Sequence, residues 1–125
     1  MWDAVTTAKK QTVRLKSSYV MSVCMEKEGR FVAAGGLDNA CSVYRVGGEQ
    51  SKLSTELVSH EGYLADCKFF HSPAKMLTAS ADATSLLWDV EKGQIIEMMM
   101  VPFCNFYDWI CILYDARPPR RKLCR

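Results

Sequence analysis

The chain has 125 residues, a length that suits one ordinary domain. Its apolar content of 49% and charged content of 24% exclude a disordered chain, and a net charge of +2 is too small to mark a nucleic-acid surface. No charged leader followed by an apolar run opens the chain, so the expected compartment is the cytoplasm, where thiols stay reduced.

Residues 98–114 form the most apolar run, but Pro102, Asn105 and Asp108 interrupt it and it is short for a membrane span. Of the six cysteines, Cys24, Cys41 and Cys67 lie inside apolar runs, and no CxxC pair occurs. Free buried thiols are therefore expected rather than a disulfide framework. Neither His60 nor His71 has a thiol pair nearby, so no metal site and no cofactor are expected.

In chain order, Trp2-Asp3 comes first, and residues 12–16 alternate as an exposed strand would. Residues 19–25 are apolar enough for a strand buried on both faces. Residues 26–30 then make a turn around Gly29. Residues 31–34 and 41–46 read as two further strands, separated by a turn over residues 35–39, and residues 52–58 as a weaker fourth. The same cycle returns with strands at residues 63–70, 76–80, 84–90 and 94–99, and turns at residues 71–75 and 81–83. No segment reads as a helix.

Residues 60–90 fall without a gap on residues 16–46, an offset of 44. Tyr19 meets Tyr63, Asp38 meets Asp82, Val46 meets Val90, and Tyr44 meets Trp88. Four short strands at that period are the signature of propeller blades. The expected fold is all-β, a partial β-propeller. Residues 1–16 are the end of a preceding repeat with its outer strand. Residues 17–58 and 59–99 are two blades, and residues 100–125 an irregular basic tail.

His60, Asp82 and Trp88-Asp89 give the second unit the pattern of the WD-repeat family, which it resembles. The resemblance implies a structural tetrad in which His60, a hydroxyl, Asp82 and Trp88 form one hydrogen-bonded chain. Ser80 is the expected hydroxyl and Thr78 the other candidate. The same residue types permit a catalytic reading, but no nucleophile elbow accompanies them, so a structural role is expected and no catalytic residue. In the first unit Lys16 replaces the histidine, Gly36 the serine and Tyr44 the tryptophan.

Trp2-Asp3, Ser17-Ser-Tyr-Val-Met21, Phe31-Val-Ala-Ala-Gly-Gly-Leu-Asp-Asn39, Cys41-Ser-Val-Tyr44 and Leu87-Trp-Asp-Val-Glu-Lys-Gly-Gln94 sharpen the resemblance to the β subunit of heterotrimeric G proteins. It implies a signalling scaffold and not an enzyme. The partners it implies are a GDP-loaded α subunit and a γ subunit, with peripheral attachment to the inner face of the plasma membrane through them. The implied α-contact positions are Lys9, Tyr19, Met21, Leu37, Asn39 and Tyr63, with Glu61 beside them. All are placed at strand entries or in turns that share one end of the blades.

The pattern stops after Glu97, and the γ-gripping helix of the family has no counterpart, so the chain reads as a truncated member. Two other readings stay open. One is a generic WD-repeat scaffold, such as a ubiquitin-ligase or trafficking adaptor. The other is an enzyme using His60 with Ser80, or a redox protein using Cys104 and Cys111.

Overall fold

A computed structural model describes residues 1–48, 50–70 and 75–100. These residues form eight strands and no helix. The strands are β1 (Val20–Met25), β2 (Phe31–Gly36), β3 (Ala40–Arg45), β4 (Lys52–Val58), β5 (Leu64–Phe69), β6 (Lys75–Ser80), β7 (Thr84–Asp89) and β8 (Gln94–Met100). They make two four-stranded antiparallel meanders, β1-β2-β3-β4 and β5-β6-β7-β8, each with the form of a propeller blade. Most of the expected turn at residues 71–75, and the tail from residue 101 with Cys104 and Cys111, lie outside the described residues.

The 44-residue period is a property of the backbone as well as of the sequence. The β1–β2 ladder shifts between Val20 and Ser22, and the β5–β6 ladder between Leu64 and Asp66. The β3–β4 ladder shifts between Val43 and Tyr44, and the β7–β8 ladder between Leu87 and Trp88. Each pair of irregularities is one period apart. Turn hydrogen bonds follow the same rule: Leu37 N–H donates to the Tyr19 carbonyl at 3.3 Å, and Ala81 N–H to the Tyr63 carbonyl at 3.0 Å.

One core joins the two sheets. Cys24, Ala33, Cys41, Val43 and Leu57 of the first meet Leu64, Cys67, Phe69, Met76, Leu86 and Trp88 of the second. Complete burial of a side chain such as Leu64 contributes about 2 kcal/mol. Leu64 fits because Gly35 lies beneath it: a Cβ added at Gly35 would overlap Leu64 Cδ2. A polar contact crosses the same interface, where the Ser22 hydroxyl donates to Asp66 Oδ1 at 2.6 Å.

Two expectations need correction. Strand β1 is not buried on both faces, since Val20, Met21, Val23 and Met25 are exposed. Their counterparts Leu64, Cys67 and Phe69 are buried because the first sheet covers them, whereas no described sheet covers β1 on that side. Residues 12–16 are not a strand. Their burial does alternate, but side chains rather than a ladder hold them: Lys16 pairs with Glu56 at 3.0 Å, and Tyr44 Oη donates to the Arg14 carbonyl at 3.5 Å.

The amino-terminal hairpin, bridged by Trp2 and Lys9, repeats a local device of the second sheet. Asp3 Oδ1 accepts from Val5 N–H at 2.9 Å and Thr6 N–H at 3.1 Å, while Asp89 Oδ1 accepts from Lys92 N–H at 3.1 Å. In both places an aspartate that follows a tryptophan closes the turn after it with its carboxylate.

Candidate functional site

Turn geometry builds the polar cluster of the second sheet. Asp82 sits between β6 and β7, where its carboxylate closes the turn by accepting from Thr84 N–H at 2.9 Å and Thr84 Oγ1–H at 2.6 Å. Its other oxygen reaches back to the chain before β5, accepting from Glu61 N–H at 2.9 Å and meeting His60 Nδ1 at 3.0 Å. Burial works to raise the Asp82 pKa. The Thr84 hydroxyl, the two backbone amides and His60 outweigh it and hold the carboxyl well below the usual carboxylate range.

From His60 the chain of contacts runs inward to Thr78, whose Oγ1 lies 2.8 Å from His60 Nε2. Trp88 Nε1–H donates to the same oxygen at 2.7 Å. The indole can only donate, so Thr78 accepts from it and gives its own hydrogen to His60 Nε2. The Leu86 carbonyl, at 3.5 Å, is the weaker alternative acceptor. His60 then carries its proton on Nδ1, directed at Asp82, an assignment that follows from the partners. Every member of the chain is satisfied.

The hydroxyl is therefore Thr78 and not Ser80. Ser80 Oγ donates instead to the Gly62 carbonyl at 3.0 Å and accepts from Asp82 N–H at 3.2 Å, which ties the turn to the chain before β5. The matching residue of the first unit is accordingly Ala34, not Gly36. With no hydroxyl there, Lys16 turns to Glu56 and Tyr44 to the Arg14 carbonyl. Thr84 is a member that sequence reasoning missed. Its position two residues after a turn aspartate is the signal that points to it.

This arrangement is suited to holding strands together. Thr78 is 1% exposed and His60 6%, and both ring nitrogens of His60 are engaged within the chain of contacts. The three described thiols are also internal. Contact with Cys67, together with burial, pushes the Cys24 and Cys41 thiols above the ordinary range, and Cys67 Sγ–H donates to Ser22 Oγ at 3.7 Å. Among the described residues no group of histidine, cysteine and carboxylate side chains could hold a metal ion. No described helix is long and apolar enough to cross a membrane.

The expected contact residues gather, with one exception, at the end of the sheets that carries Asp82. Tyr19 and Tyr63 precede β1 and β5, and their carbonyls take the turn amides of Leu37 and Ala81. Asn39, at φ 60°, directs Nδ2 to the Glu61 carbonyl at 3.3 Å and so links the two units. Met21 lies in the ladder irregularity of β1, which turns its side chain outward. Tyr19, Met21 and Leu37 are each more than half exposed, and Tyr63 is 43% exposed. Lys9 is the exception, held in the amino-terminal hairpin opposite Trp2.

The chain matches no protein-family model.

Proposed function

We propose that the chain is a WD-repeat signalling scaffold of the G-protein β-subunit kind, which binds a GDP-loaded α subunit downstream of a G-protein-coupled receptor. Its contact edge comprises Tyr19, Met21, Leu37, Asn39, Glu61 and Tyr63, with Lys9 contributing from the hairpin. The supporting observation is the exposure of Tyr19, Met21, Leu37 and Tyr63 at one end of two sheets. Aromatic and methionine side chains held on a rigid rim are what protein interfaces use as anchors. The buried His60–Thr78–Trp88 chain serves as the staple of a blade rather than as a catalytic device. Peripheral membrane attachment follows from such partners.

A pulldown of the full chain with GDP-loaded α subunit tests this reading. Binding that falls in Tyr19→Ala and Leu37→Ala, with melting unchanged, supports it. No binding by the folded wild-type chain sinks it in favour of a generic WD-repeat scaffold.

A further inference from the structure

The opposite end of the first sheet carries a feature that the contact edge does not use. Arg45, the last residue of β3, stands directly opposite Lys52, the first of β4. Like charges in directly opposed positions work against a sheet. Arg30 joins them, because Phe31 pairs with Arg45 and Val46 N–H donates to the Arg30 carbonyl at 2.7 Å.

These three cations, with Gly47, Gly48 and Gln50, line an open cavity of about 440 Å³ that no described carboxylate lines. Arg30 spends Nη2 on Glu26 at 3.3 Å and Glu28 at 2.7 Å. Neither Arg45 nor Lys52 makes an ion pair with a described residue. Gly47, at φ 132°, adopts a backbone conformation that side chains resist, so the loop leaves this rim as bare backbone.

We infer that this cavity binds an oligophosphate anion, such as a ring or chain carrying two or more phosphate groups. The Arg45 guanidinium grips one phosphate through its planar fork, Lys52 supplies a point charge beside it, and the ligand removes the repulsion between the two. Two cations without a described carboxylate partner, with a third beside them, favour a polyvalent ligand over a lone phosphate. The same chemistry occurs in free oligophosphates and in the headgroups of phosphorylated inositol lipids.

Calorimetric titration of the full chain with tripolyphosphate and with inositol trisphosphate at low salt tests the assignment. Binding is expected to weaken about tenfold in Arg45→Gln or Lys52→Gln, to vanish in the double variant, and to stay unchanged in Lys92→Gln. Both probes raise the melting temperature of the wild type and not of the double variant. Without ligand, Lys52→Gln melts higher than the wild type, because the repulsion is gone. Retention on vesicles carrying phosphatidylinositol bisphosphate assigns the lipid source, and binding of the soluble probes alone assigns the free one. The inference is overturned if neither probe binds or if Lys92→Gln loses as much affinity as Lys52→Gln. It is equally overturned if binding emerges only in Glu49→Gln.

Discussion

The indole N–H of Trp88 and the hydroxyl of Thr78 meet at 2.7 Å in a place where neither touches water. Loss of the hydroxyl leaves the Trp88 donor and the His60 Nε2 acceptor unpaired together. Thr78→Val, nearly equal in shape, is therefore expected to cost about 3 kcal/mol. Ser80→Ala, at the edge of the cluster, costs about 1 kcal/mol. Urea denaturation of the two variants checks the order, and equal midpoints would refute the assignment of Thr78.

Acid acts on the same cluster through Asp82. Its pKa is depressed in the folded chain, so the carboxylate contributes stability above its unfolded value near 4 and loses it as pH falls toward the folded value. Asp82→Asn is expected to be less stable than the wild type at pH 7. The difference shrinks steadily below about pH 4. Denaturant midpoints measured from pH 7 to pH 3 would show the two curves converging, and parallel curves would exclude Asp82 as the source.

Glycine positions separate two kinds of crowding. Gly35→Ala drives a methyl group into Leu64, and Gly36→Ala drives one into the Tyr19 carbonyl. Overpacking of this kind costs about 1–3 kcal/mol. Side chains can be trimmed and backbone cannot. Leu64→Ala should therefore recover part of the loss in Gly35→Ala and none of that in Gly36→Ala, as a double-mutant cycle on thermal midpoints would reveal.

Asn39 and Ala83 occupy matching turn positions and both have positive φ, at 60° and 64°. Asparagine tolerates that region, whereas the Cβ of alanine meets the following carbonyl. Ala83→Gly is expected to stabilise the chain by about 0.5–1 kcal/mol, and Asn39→Ala to destabilise it by a similar amount. A lowered melting temperature for Ala83→Gly would contradict the strain argument.

Most of the strand plan is legible in the sequence, because turns rich in glycine, aspartate and asparagine punctuate short apolar runs. The 52–58 strand, for instance, coincides with β4. What the sequence left open was register. Thr78 and Ser80 share a face of β6, but Met76 stands opposite Trp88, so Thr78 is two residues from that row and Ser80 four. At about 3.3 Å per residue Ser80 lies too far along the strand for the indole. Residues 12–16 misled for a related reason. Alternation reports which side of a segment is covered, and here loose side-chain contacts cover it without a paired strand. The exposure of β1 was hidden because an apolar run does not reveal how many neighbours it has.

The ladder irregularities recur one period apart on β1 and β5 and on β3 and β7, yet the extra residues at them differ: Met21 against Ala65, and Ser54 of β4 against Ile96 of β8. Backbone shape has thus outlasted the side chains that occupy it. A unit of this kind behaves as a template with interchangeable surface lettering. The outward residue at each kink is the position where a new specificity can be written without redrawing the sheet beneath it.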